Sequence, residues 1–255
     1  MLRTRVMPCL LLHDGALVKT VRYNELNYIG DPINAVRIFN EFEVDELIFL
    51  DISASQEKSP PPFQIIEEIA GECFMPVTYG GGIGTIDDIS RIHNIGIEKV
   101  AINTTLFSNS DLIKESVRKY GSQSIVASID VKRNNSGKHS VYSRNRKLIT
   151  EPDPVKWAQY LEGLGAGEIL LTSVDNDGTW SGYDIEILKE VTCAVDIPVI
   201  ACGGAGDLND FNSAVKNGGA SAVAAGSLFV YQKKDFGVLI NYPSNAELED
   251  ALHRH

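Results

Sequence analysis

The stretch PVTYGGGIGTIDDI, Pro76 to Ile89, returns as PVIACGGAGDLNDF, Pro198 to Phe211, 122 residues further on. Each copy holds a short apolar run, a glycine-rich turn and a segment that opens on polar residues. That is the order strand, tight turn, helix. Two more segments keep the same offset: DELIFLDIS from Asp45 matches GEILLTSVD from Gly167, and Leu106–Phe107 matches Leu228–Phe229. One spacing shared by three separate segments marks an internal repeat, not a chance likeness of apolar runs.

The 255 residues therefore read as two similar halves. In each half, β-rich runs such as ELIFLDI, MPVTYGG and KVAIN alternate with helical stretches such as PFQIIEEIAGE and TIDDISRIHNIG. Short apolar strands separated by amphipathic helices imply a parallel sheet covered by helices. Four such units per half predict a (β/α)8 TIM barrel with a twofold half-barrel repeat, a single domain over residues 1–255. A doubly wound open sheet is the competing topology, and it accounts less naturally for a twofold repeat. In such a barrel the strand C-termini carry the active site, and residues just before a strand lie on the opposite, bottom face.

Composition narrows the partners. Hydrophobic residues make up 44% of the chain, an ordinary globular value, and the net charge is −11. An acidic surface argues against nucleic acid and anionic membrane as partners. No stretch approaches a membrane span, the N-terminus lacks a signal-peptide core, and Cys9, Cys73, Cys193 and Cys202 form no C-x-x-C pair. The expectation is a cytoplasmic protein with reduced thiols. The five histidines show no metal-ligand spacing, so neither a metal nor a cofactor is expected.

The glycine runs carry the first functional reading. Gly80–Gly84 follows the third barrel strand and Gly203–Gly206 the seventh, each ahead of a helix that starts on TIDD or DLND. Glycine lets backbone approach a phosphate, and a helix N-terminus supplies amides and partial positive charge. Small polar groups stand at the neighbouring strand ends: Asn103 and Thr104 in one half, Gly226 and Ser227 in the other. Tight turns alone would also call for glycines. Their symmetric placement favours two cradles facing each other across the mouth, suited to a ligand with a phosphate at each end.

The segments GDPINAV, DELIFLDISAS, YGGGI, KVAINT, YGSQ, SIDVKR, GAGEILLTSVDNDGTWSGYD and ACGGAG, in this order, resemble the cyclase subunit of imidazole glycerol phosphate synthase, the HisF type. The resemblance runs from the N-terminus to about Tyr231. It implies a glutaminase partner of the HisH type at the N-terminal face of the barrel, and ammonia crossing the core to a two-phosphate substrate at the top. It implies phosphate or substrate binding at Lys19, Gly82, Asn103 and Thr104, and at Thr172, Asp177 and Gly178. Gly203, Gly204, Gly226 and Ser227 complete that set. It also implies an ammonia gate of Arg5, Glu46, Lys99 and Glu168, each just ahead of or at the start of a strand. Four unrelated surface charges are the plain alternative.

One departure stands out. The family carries paired aspartates as general acid and base; this chain has Asp130 in SIDVKR, while CLLLHDG places Leu11 where its mate belongs. Leucine cannot exchange a proton. A register slip that brings Asp14 into the role is the other reading, although Asp14 falls in the turn before Gly15. A kept gate with a broken acid–base pair resembles a paralogous branch of surface-polysaccharide biosynthesis. There the barrel and its glutaminase supply ammonia to a sugar amidotransferase that converts an acetamido group to an acetamidino group. The alternatives are an authentic cyclase of histidine biosynthesis, a sugar-phosphate isomerase that needs no ammonia, and a scaffold that only activates its glutaminase. Two loops add weaker features: QEKSPPPF is stiffened by three prolines, and the basic KRNNSGKHSVYSRNRK reads as a hairpin after the fifth barrel strand.

Overall fold

The computed structural model describes residues 4–57, 59–143, 147–148 and 153–253. The chain opens with β1 (Arg5–His13), an antiparallel ribbon of β2 (Ala16–Val21) and β3 (Asn24–Gly30), and α1 (Pro32–Glu41). Next come β4 (Leu47–Asp51), α2 (Ala54–Glu57), α3 (Phe63–Glu72), β5 (Val77–Gly80), α4 (Ile86–Ile95), β6 (Lys99–Ile102) and α5 (Asp111–Tyr120). The second half repeats the plan. It begins with β7 (Ile125–Arg133), a second ribbon of β8 (His139–Ser143) and β9 (Lys147–Leu148), and α6 (Pro154–Gly163). Then follow β10 (Glu168–Ser173), α7 (Ile185–Thr192), β11 (Val199–Cys202), α8 (Leu208–Lys216), β12 (Ala222–Ala225), α9 (Ser227–Val230) and α10 (Asn245–His253).

Eight strands pair in parallel in the order β1, β4, β5, β6, β7, β10, β11, β12, and β12 returns to β1 through Arg5↔Ala222 to Pro8↔Ala225. The sheet is thus a closed (β/α)8 barrel. Each half inserts its ribbon after its first strand, as a twofold repeat requires. The two quoted repeats end on matching capping boxes, Thr85 with Asp88 ahead of α4 and Asp207 with Asp210 ahead of α8. The acidic first turns therefore start helices by satisfying orphan amides.

Strand period decides what lies inside. On β1, Val6, Leu10 and Leu12 pack outward against helices, while Met7 and Cys9 belong to the lumen. The same alternation sends Ile48, Ala101, Val126, Leu170, Ile200, Ala222 and Ala224 inward. Successive side chains on a strand point to opposite faces, so Arg5 lies below Met7 on the inner face and Leu11 lies above Cys9. The lumen is therefore layered: charge at the bottom, apolar and small side chains in the middle, polar groups at the mouth.

Candidate functional site

At the bottom, four side chains close a ring. Arg5 Nη1 lies 2.7 Å from Glu46 Oε2, and Arg5 Nη2 lies 2.6 Å from Glu168 Oε1. Lys99 Nζ lies 3.0 Å from both Glu46 Oε2 and Glu168 Oε2. Thr78 Oγ1 donates to the remaining oxygen of Glu46 at 2.7 Å. Burial works against the Arg5 charge, but Glu168 and Glu46 outweigh it and raise its pKa. Buried carboxylates are tolerated only when paired in this way. Thr78, on β5, was not singled out in the sequence; its partner lies 32 residues earlier, just ahead of the neighbouring strand β4.

At the mouth, Asp130 faces a cavity of about 380 Å³ lined by Leu11, Leu50, Asn103, Ser128, Thr20 and the Gly80–Gly82 turn, among others. Tyr23 Oη donates to Asp130 Oδ1 at 2.7 Å, and Asn103 Nδ2 donates to Oδ2 at 2.8 Å. Burial raises the Asp130 pKa to about 6 against the opposing pull of these two donors, and the charge of Asp177 adds to the rise. A carboxyl poised there can hold or release a proton near neutral pH. The Asn103 side chain, expected in the phosphate cradle, lines this cavity with its Nδ2 on Asp130.

Leu11 is 8% exposed and lines both mouth cavities. It sits beside Leu50 in the β1–β4 register and opposite Val18 of the ribbon. Asp14 lies beyond the strand in a left-handed turn, φ 49°, with its side chain 67% exposed and 3.2 Å from His13 Nδ1. It does not line either cavity. No second carboxylate therefore enters from β1.

The second half of the mouth is a cleft of about 30 Å³ lined by Lys19, Thr172, Asp177, Gly178, Gly203, Gly204, Gly226 and Ser227. Lys19 is 5% exposed, and among the described residues no ion pair or hydrogen bond holds its ammonium group. A Cβ on Gly226 would stand 2.1 Å from Lys19 Nζ, so the glycine makes room for the ammonium. Thr172 Oγ1 is buried beside the Cys202 thiol. Asp177 accepts from Thr20 Oγ1 at 2.9 Å, and Gly178, φ 71°, lets the ribbon backbone at Thr20 pass close.

The glycine turns have a second reason for their composition. A Cβ at Gly81 would meet the Asp51 backbone at 2.5 Å, and one at Gly203 the Ser173 backbone at 2.7 Å. The glycines thus let neighbouring βα loops pack against each turn. Gly84 N and Gly206 N are taken by Asp88 at 3.0 Å and Asp210 at 2.7 Å. An anion in either cradle must use amides earlier in the turn. Thr104 opens a 3₁₀ turn, Thr104–Phe107, and Ser227 opens α9, so the fourth strand of each half ends in a short helix N-terminus at the mouth.

The expected basic hairpin is β7–β8, and Arg133 pins it: Nη2 lies 2.6 Å from Glu186 and 3.4 Å from Asp184, while His139 Nε2 lies 2.9 Å from Asp184. Residues 144–146 of that stretch lie outside the described residues. Its basic charge is therefore partly spent on α7. The four cysteines are free thiols. Among the described residues, no helix is long and apolar enough to cross a membrane.

A family model described as histidine biosynthesis protein matches residues 5–235. The chain is 50% identical over 249 residues to a Pseudomonas aeruginosa protein named "Putative imidazole glycerol phosphate synthase subunit hisF2", covering 98% of this chain and 99% of that one. It is 43% identical over 233 residues to an Alkaliphilus metalliredigens protein named imidazole glycerol phosphate synthase subunit HisF, covering 91% and 92%. A Hydrogenobaculum protein of the same name is 45% identical over 242 residues, covering 95% and 96%.

Proposed function

Because the chain belongs to the histidine biosynthesis protein family and is HisF-like along nearly its whole length, we propose that it relays ammonia. In this reading a HisH-type glutaminase docks at the N-terminal face, over the ring of Arg5, Glu46, Lys99 and Glu168. Ammonia enters there and crosses the lumen to the mouth. A sugar amidotransferase then uses it to convert an acetamido into an acetamidino group on a surface-polysaccharide sugar.

The observation that carries the reading is the vertical order inside the barrel. A fully paired ring of charge sits beneath an apolar layer containing Met7, Ala101, Ala222 and Ala224, and the mouth above it has Leu11 where acid–base chemistry needs a second carboxylate. An apolar passage favours neutral ammonia over ammonium, because an unpaired ion pays heavily for losing water. Lys99 binds the carboxylates as a single point charge on a flexible stem, whereas Arg5 spans both with its planar fork, so Lys99 is the natural element to swing aside. General acid–base groups contribute typically 10²–10⁴-fold each, so the absence of one is a large loss for ring closure.

A second reading, the authentic cyclase of histidine biosynthesis, has one specific support. Asp130 keeps a raised pKa of about 6 in a cavity large enough for a ligand, and across the mouth Lys19 has no ion pair among the described residues. The two readings separate on reconstitution. The complex with its glutaminase is fed amide-¹⁵N glutamine, with the sugar amidotransferase present. Label in the amidinated sugar, undiminished by excess unlabelled ammonium in solution, is the expected outcome. Label freely diluted by that ammonium removes the relay.

A further inference from the structure

Among the described residues, two carboxylates line the larger cavity, Asp51 and Asp130. Asp51 Oδ1 is consumed by Ser53 N at 2.9 Å, Ser53 Oγ at 2.7 Å and Ala54 N at 3.1 Å. Asp130 is the other, and what controls it comes from 107 residues earlier in the chain, the phenol of Tyr23.

Tyr23 sits at the tip of the β2–β3 ribbon. Val21 pairs with Asn24, so Arg22 and Tyr23 form a two-residue hairpin tip with φ 52° and 61°. Tips of this kind normally carry glycine or asparagine, because a Cβ is crowded by the backbone in the left-handed region. Here neither position is relieved. The conformation is held by tertiary contacts: Arg22 N donates to Asp177 O at 2.9 Å, Arg22 Nε to Asp175 O at 3.0 Å, and Tyr23 Oη to Asp130. The Tyr23 ring also meets Tyr142 edge-on, with centroids 6.1 Å apart. Strain kept in place at a ligand cavity points to a role for the residue that bears it. Burial and the charge of Asp130 both push the Tyr23 hydroxyl above its ordinary pKa, so it remains a donor.

We propose that Tyr23 is the positioning residue of this site: its phenol, delivered by the strained ribbon tip, orients Asp130 and sets its protonation, a task that falls to it because Leu11 offers no second carboxylate. This rests on the reading of Asp130 as the acid–base group of the mouth, and not on the relay of ammonia. Tyr23 and Asn103 donate to different oxygens of the carboxylate, which fixes its plane toward the cavity. A ligand hydroxyl or amine that donates to Asp130 then meets an oriented acceptor. Because the same phenol ties down the ribbon that carries Lys19, the anion-facing ammonium and the carboxylate are held in one arrangement.

The test is the titration of Asp130 in the full chain labelled with ¹³C at aspartate carboxyl carbons, its signal assigned by loss in Asp130→Asn. Tyr23→Phe removes the donor and is expected to move the titration to higher pH. Replacing Tyr23 by 3-fluorotyrosine, a stronger donor of nearly the same shape, is expected to move it to lower pH and serves also if Tyr23→Phe does not fold. Tyr142→Phe, which touches the ring but not the carboxyl, is expected to leave the titration in place. Opposite shifts from the two Tyr23 variants support the proposal whether or not ammonia is relayed. A titration unmoved by both, or moved equally by Tyr142→Phe, overturns it.

Discussion

Leu11 on β1 and Asp130 on β7 both line the same mouth cavity, and only Asp130 can exchange a proton. Leu11 packs beside Leu50 across the β1–β4 pairing, so the wall opposite the carboxylate is apolar. That asymmetry explains part of the upward shift at Asp130, since low polarity disfavours its charged form. Leu11→Asp is expected to lower stability by about 1–3 kcal/mol, because a carboxylate replaces a buried apolar side chain. It is also expected to raise the Asp130 titration further by like-charge repulsion. Urea unfolding and carboxyl NMR check the two effects separately.

The raised pKa at Asp130 makes a signed prediction about stability. Its folded value of about 6 lies above the ordinary 3.8, so the folded state holds this proton more tightly. The stabilising contribution is present below the unfolded value and is lost as pH rises through about 6. Asp130→Asn removes this penalty, and a turn of the Asn103 side-chain amide lets its oxygen accept from the new amide, so the hydrogen bonds can be kept. The net expectation is a variant more stable than the parent above neutrality by on the order of 1 kcal/mol, and no more stable near pH 4. Urea midpoints at both pH values give the sign.

The bottom ring behaves as one unit. Lys99 joins Glu46 to Glu168 on one side and Arg5 joins them on the other, so removing one cation leaves both carboxylates with a single cationic partner. Lys99→Met is expected to cost about 1–3 kcal/mol, and Arg5→Met with Lys99→Met more than the sum of the two single losses. A double-mutant cycle by denaturant unfolding measures the coupling. Additive costs would mean that the four charges are independent.

Gly226 makes room for Lys19 and for the backbone of β1. Gly226→Ala places a methyl where Lys19 Nζ stands and 2.9 Å from the Cys9 carbonyl oxygen, so the lysine side chain must move aside and the β1–β12 seam must shift slightly. The variant is expected to bind the two-phosphate cyclase substrate about tenfold or more weakly, comparable to Lys19→Ala, since a charge-assisted hydrogen bond is worth about 1.5–3 kcal/mol. Calorimetric titration of both variants reads the effect.

The barrel was legible because its signal is repetitive. One offset carried by Pro76/Pro198 and Asp45/Gly167, with alternating strand and helix patterns, fixes eight units and hence the face on which each strand end lies. The charges at strand starts converge because parallel register brings them to one level of the lumen. The contact of Tyr23 with Asp130 was not legible. VRYN contains no turn residue of the usual kind except Asn24, and the contact exists only after the ribbon folds back across a closed barrel. The same holds for Thr78 on Glu46 and for Asn103 on Asp130. The glycines were visible, but the filling of their Cβ side by neighbouring loops depends on how adjacent βα loops stack, which no local pattern records.

The proposed relay requires that this barrel hands ammonia onward and does not close the imidazole ring itself. The most direct measurement is cyclase turnover by the purified chain, with the two-phosphate substrate and a high concentration of ammonium salt, beside Leu11→Asp. The expected result is no turnover by the parent chain and measurable turnover once the second carboxylate is present. Turnover by the parent chain near that of a HisF cyclase assayed in parallel would contradict it, and Asp130 would then be sufficient without a carboxylate at position 11.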